Sequence, residues 1–287
     1  MPRLELRPLR LSDAPYAILE HAHWVPFSAG LSEKFRPKQS ESAPDEKLFM
    51  RLRRLWRNQE VWLSHALECV LLGCGPSLLA EVFGGAPASP DRCGLYQADW
   101  PGLNRDVGVP DLIVIRDATL YLVEVKSGAT ASKHRYSRQQ HAKYMKFAAL
   151  AICSNAVAEE HGSPLPISKA EHWLLAPPGG IEHNVNDFPD WRPVVDREGR
   201  LTIGSEAARR AIEEDIGRFL RAKAATYELA IERYAGSTQT PTKLVPWSEF
   251  AGNLSRVAEK GGRPDLVREA VRLEELSEGK APVRTTA

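Results

Sequence analysis

Residues 108–129 read GVPDLIVIRDATLYLVEVKSGA, and two short runs within them, from Leu112 and from Leu120, are dense in Val, Ile, Leu and Tyr on either side of Arg116-Asp117-Ala118. Such runs around a polar turn predict paired β-strands. Side chains alternate across a strand, so Leu120, Leu122, Glu124 and Lys126 share one face while Tyr121, Val123 and Val125 share the other. Both faces are apolar up to Glu124, and a strand apolar on both faces has to be covered on both. The chain is thereby confined to a layered architecture.

The flanking segments fit such layers. From Glu46 to Leu72 the pattern is helical, and its first part, EKLFMRLRRLWRN, is basic; LLGCGPSLLAEVFGGAPASP then reads as helix end, short helix and loop, with the stop at GCG, 73–75. A helix is predicted from about Ser137 to Ile152, where Tyr144, Phe147, Ala148 and Ala151 recur on one face, followed by the strand AEHWLLAPP. The order helix, loop, strand, strand, helix, strand makes an α/β fold with a mixed central β-sheet flanked by helices. Residues 205–235 read as one long charged helix, and Trp247 to Leu276 as two shorter ones. The expected organisation is an N-terminal arm over 1–45, a core over 46–204, and a helical C-terminal extension over 205–287 with a frayed tail after Ser277.

At 287 residues and 43% hydrophobic the chain can bury a substantial core. Its 38 Lys and Arg against 37 Asp and Glu leave a net charge of +1, so any nucleic-acid surface has to be a local patch. The N-terminal MPRLELRPLRLSDAP lacks the apolar segment of a signal peptide, and no run approaches the ~18 apolar residues of a membrane helix, so a cytoplasmic chain with no membrane partner is expected. Cys69, Cys74, Cys93 and Cys153 form no Cys-x-x-Cys pair, which argues against structural zinc and leaves reduced core thiols as the expectation.

The charged groups at the strand ends carry the chemistry. Pro110 cannot donate a ladder hydrogen bond and suits the start of a strand. A hairpin folded about 116–118 puts Asp111 opposite about residue 123, one position from Glu124. Two carboxylates in a partly dry site repel strongly enough to move their pKa values by units unless a cation lies between them. A small set of oxygen ligands completed by water suits Mg²⁺ or Mn²⁺ better than zinc. A lysine two residues from a ligand can then orient or deprotonate an attacking water and stabilise developing charge. The chemistry suggested is phosphodiester hydrolysis; a lone Glu-x-Lys would be an ordinary surface pair at a strand end.

Pro110-Asp111 followed by Glu124-Val125-Lys126 resembles the motif of the PD-(D/E)xK nuclease superfamily, over roughly residues 46 to 180. Gln140-His141-Ala142-Lys143-Tyr144, on the helix after the lysine strand, is similar to the Gln-x-x-x-Tyr motif of the RecB-type branch. The resemblance implies a restriction-endonuclease-like core, Asp111 and Glu124 as metal ligands, Lys126 as catalytic lysine, and Gln140 positioning water or phosphate. It also implies an acidic residue or histidine on a preceding helix. Glu60, His65 and Glu68 are the candidates; Glu60 is favoured because it follows a basic segment, while His65 lies in HALE, which resembles the RecB-type histidine motif. The four-cysteine spacing of iron–sulfur members of that branch is not met.

Basic residues bracket the proposed site, with Arg51, Arg53, Arg54 and Arg57 before the Glu60 helix, and Lys133, His134, Arg135, Arg138, Lys143 and Lys146 after the lysine strand. Such runs would meet phosphates, with Tyr136, Tyr144 and Trp56 placed to touch nucleic acid. The leading expectation is a metal-dependent deoxyribonuclease, of the kind used in phage defence, restriction or repair. It would act on DNA, with RNA a second candidate substrate, and homo-oligomers or a protein partner supplying specificity are compatible with the sequence. The competing expectation is a non-cleaving nucleic-acid-binding or scaffold subunit that keeps the fold.

Overall fold

The computed structural model describes residues 4–9, 59–85, 92–100, 103, 106–127, 136–154, 157–158, 167–177, 193–234 and 240–278. In chain order the elements are β1 (Glu5–Pro8), α1 (Gln59–Val82), β2 (Cys93–Asp99), β3 (Leu112–Arg116), β4 (Thr119–Val125), α2 (Arg138–Cys153), β5 (Val157–Ala158), β6 (Lys169–Ala176), β7 (Pro193–Val195), β8 (Arg200–Ile203), α3 (Glu206–Tyr227), β9 (Thr242–Pro246), α4 (Trp247–Lys260) and α5 (Pro264–Ser277). Among the described residues nine strands form one mixed sheet in the order β5-β1-β2-β3-β4-β6-β9-β8-β7. The expected α/β class, with a mixed sheet between helices and helices at the C-terminal end, is the one observed.

β3 and β4 are antiparallel, with Leu112 beside Val123 and Arg116 beside Thr119. The turn is therefore the two residues Asp117 and Ala118, with Asp117 at φ 53°, a left-handed conformation that Asp tolerates better than most side chains. This moves the pairing one residue from the expected register, so that Asp111 comes opposite Glu124 itself. β4 then pairs in parallel with β6, and β6 in parallel with β9. Parallel neighbours need a crossover, and α2 supplies the first one.

Helices cover both faces. α1, α4 and α5 pack on the side of Leu112, Val114, Tyr121, Val123, Val125, Trp173 and Val245. α2 and α3 pack on the side of Ile113, Ile115, Leu120, Leu122, Ala170 and Leu174. α1 changes direction at Gly75, whose φ of 70° is outside the helical range, just before Pro76; the predicted stop is a kink. α2 is buried almost all round after Tyr144 because the sheet lies under it and α3 over it, where Lys146 pairs with Asp215 at 2.6 Å. No helix among the described residues is long and apolar enough to cross a membrane.

Two expectations about organisation change. Glu5–Pro8, within the supposed arm, pairs with β2 and belongs to the sheet. The last third of the chain contributes β9, an inner strand between β6 and β8, and its helices α4 and α5 pack on the core with α1.

Candidate active site

The carboxylates meet where β3 begins and β4 ends. The Val125 N–H donates to Asp111 Oδ2 at 2.9 Å, which fixes the aspartate against the end of the neighbouring strand. Glu124 points to the α2 side and is 4% exposed. The Lys126 ammonium donates to its Oε1 at 2.6 Å, and the Tyr144 hydroxyl donates to its Oε2. Lys126 is itself only 3% exposed, so the pair is a buried one; removing either partner would strand a charge in the interior.

Burial, and then the Asp111 carboxylate beside it, push the Glu124 carboxyl up to about 7; the Lys126 ammonium and the Tyr144 hydroxyl oppose this without overcoming it. A cation bound between Asp111 and Glu124 would relieve both the repulsion and the cost of burying the ionised glutamate. Asp111 and Glu124 are hard oxygen donors from adjacent strands, and Mg²⁺ or Mn²⁺ binds through one or two carboxylates with waters completing the shell. The donor pair fits such an ion. No group of three or more His, Cys, Asp or Glu side chains gathers for a metal among the described residues.

Tyr144 is held by its surroundings. Its ring lies 5.0 Å from that of His172 at 24°, and Tyr136 lies 5.5 Å from His172 on the same side of the sheet. The Tyr136 hydroxyl is 2.9 Å from His141 Nδ1, and His172 Nδ1 is 3.3 Å from the Thr242 hydroxyl on β9. Burial keeps both imidazoles neutral, lowering His141 to about 4 and His172 well below the ordinary histidine value, the latter helped by His141 and Lys126. Gly108 closes the cluster: a Cβ there would come within 3.0 Å of Tyr144 Cε1 and 3.2 Å of Lys143 Cβ. Any larger residue would press on the ring that holds Glu124.

Tyr136, Tyr144 and Lys146, expected to meet nucleic acid, are engaged within the protein. Tyr136 is fully buried, and Tyr144 is buried and committed to Glu124. Lys146 is engaged with Asp215 and lies over the Phe219 ring, binding α2 to α3. Arg138 opens α2 and is half-buried. Gln140 uses its side-chain oxygen to accept from the Ser137 N–H at 3.2 Å while the Ser137 hydroxyl accepts from the Gln140 N–H, a capping box written by Ser-Arg-Gln-Gln. Its amide nitrogen carries the donors that could address a phosphate.

For the helix before the aspartate, the backbone of α1 begins at Gln59, and its inward residues Leu63, Leu67 and Leu71 pack on the sheet face opposite Glu124. The side chains of Glu60 and His65 lie outside the described residues, as do Arg51, Arg53, Arg54, Arg57, Lys133, His134 and Arg135. Glu68 lies beside Cys69, whose thiol is pushed up to about 12 by burial and then by that carboxylate. All four cysteines are buried free thiols. Sequence reading missed the roles of Gly108, Tyr136 and His172, and of Trp247, whose indole N–H donates to the Lys126 carbonyl at 2.8 Å. An aromatic-rich helix start signalled Tyr136, and nothing local signalled Gly108, His172 or Trp247.

No family model, no curated protein and no solved structure matches the chain, so its own geometry carries the functional reading.

Proposed function

We propose that this protein is a metal-dependent nuclease that hydrolyses phosphodiester bonds in DNA, with a PD-(D/E)xK-type site. The observation that carries this is the convergence of Asp111, Glu124 and Lys126 at one end of the β3–β4 pair, with the Lys126 ammonium donating to Glu124 at 2.6 Å and Asp111 held there by the Val125 N–H at 2.9 Å. Asp111 and Glu124 would hold Mg²⁺ or Mn²⁺, which when bound supplies charge neutralisation at a phosphate oxygen and a more acidic water. Lys126, aligned by Glu124, donates to the developing negative charge on the phosphate and orients the attacking water. Tyr144 keeps the glutamate from rotating by occupying its second oxygen.

The test uses purified protein with circular and linear duplex DNA, single-stranded DNA and RNA, each with Mg²⁺, Mn²⁺ or chelator. Cleavage that needs a divalent ion and disappears in Asp111→Asn supports the reading. Binding without cleavage under every condition favours the scaffold alternative.

A further inference from the structure

Lys126 sits one residue past the last rung of β4, and the peptide groups before and after its Cα are each held by a hydrogen bond. Its N–H donates to the Leu175 carbonyl of β6 at 2.8 Å, and its carbonyl accepts from the Trp247 indole N–H at 2.8 Å. Trp247 is the first residue of α4, directly after β9; it is 3% exposed and edge-on to Phe250 at 6.2 Å. A buried carbonyl beyond the end of a ladder needs a donor from somewhere. Indole suits that task because its one polar atom can only donate, while the rest of the ring fills the core. Trp173, in the same layer, gives its N–H to Glu171 instead.

We propose that Trp247, 121 residues downstream of Lys126, is a positioning residue of the candidate active site. With the N–H and the carbonyl of Lys126 both fixed, the two peptide planes that flank its Cα are fixed, and so is the direction in which the side chain leaves the strand. The ammonium is thereby delivered to Glu124. The proposal rests on the nuclease reading and adds that the junction of β9 and α4 is part of the catalytic unit. Displacing a reacting group by about 1 Å costs on the order of 10²-fold in rate, so loss of one such bond should be visible in kcat.

Trp247→Phe keeps a ring in the cavity and deletes the donor; replacement of Trp247 by its benzothiophene isostere keeps the shape as well. Both should lower kcat by roughly 10- to 100-fold, with KM for DNA and Mn²⁺ affinity within about twofold of wild type. Phe250→Leu, in the same cluster, should lower Tm at least as much and keep kcat per folded molecule. Wild-type kcat in the isostere, or an equal loss of kcat in Phe250→Leu at matched Tm, overturns the positioning role and leaves the nuclease reading standing. If the wild-type protein cleaves nothing, that reading fails, and amide hydrogen exchange decides the rest. Residues 122–127 should then exchange faster in both Trp247 variants than in Phe250→Leu, and equal exchange overturns the proposal.

Discussion

The two faces of β4 bury different chemistry. Toward α1, α4 and α5 it presents Tyr121, Val123 and Val125, which meet Leu63, Leu67, Phe250 and Leu254 in a layer built almost wholly of hydrocarbon. Toward α2 it presents Leu120 and Leu122 and then Glu124 and Lys126, among Tyr136, His141, Tyr144, His172 and Thr242. Fully burying one Leu or Val side chain stabilises by about 1.5–3 kcal/mol. The groups on the other face lose hydration and recover it only through partners, which is why Glu124 is raised and both histidines are lowered. One strand thus lets hydrocarbon on one side hold strained charges on the other. Stability and chemistry should separate by face when each is perturbed.

The largest expected effect is on the polar face. Asp111→Asn keeps an oxygen for the Val125 N–H but removes a charge beside Glu124, so cleavage should fall by roughly 10³-fold or more while Tm stays level or rises. A large drop in Tm, or retained cleavage, would break the separation. Leu67→Ala on the apolar face should do the reverse, costing about 3 kcal/mol by denaturant unfolding while kcat per folded molecule is preserved.

Acid should act through the polar face. His141 is held neutral by burial, its value lowered from 6.5 to about 4, so between these values only the unfolded chain takes up the proton. Its contribution to stability is present above 6.5, declines as the pH falls toward 4, and levels off below that. The full loss is about 3 kcal/mol. Glu124 runs in the opposite sense, because its raised value destabilises the folded state increasingly as the pH rises from 4.5 to about 7. Unfolding curves of wild type and His141→Gln cancel this common part, and their difference in stability should shrink as the pH falls from 7 to 4. A constant difference across that range contradicts the assignment. The smallest effect belongs outside both faces: Asp215→Asn removes a half-exposed partner of Lys146 and should cost less than about 1 kcal/mol, with cleavage unchanged.

Much of this was legible because β3 and β4 carry apolar residues on both faces, a pattern that forces coverage from two sides. The register slipped by one because the turn closes on Asp117 and Ala118, and a left-handed Asp is not announced by its neighbours. β2 went unread since CGLYQAD mixes glycine and polar residues with its apolar ones, and β9 since TKLVP is short and ends in proline. Asp111, Glu124 and Lys126 were found because each is tied to its strand by local spacing. Tyr136 was expected to touch nucleic acid because it is interleaved with basic residues, and Tyr144 because of the Gln-x-x-x-Tyr resemblance, whereas the ring stack with His172 depends on β6 lying beside β4. Trp247 was invisible for a stronger reason, since only a parallel crossover brings β9 and its following helix to the site.

The inner position of β9 also sets an order of events during synthesis. When Lys126 leaves the ribosome, Thr242–Pro246 and Trp247 have yet to be made, and the outer edge of β6 has no partner until they emerge. At about 5–20 residues per second, the 121 residues between Lys126 and Trp247 take roughly 6 to 24 s. Throughout that interval the nascent chain carries the acidic pair and the lysine without the strand and the indole that complete their frame, so a chain stalled before β9 is an unfinished sheet with an open edge and no anchored lysine. If the protein is the nuclease proposed above, its site would be completed only at the end of translation.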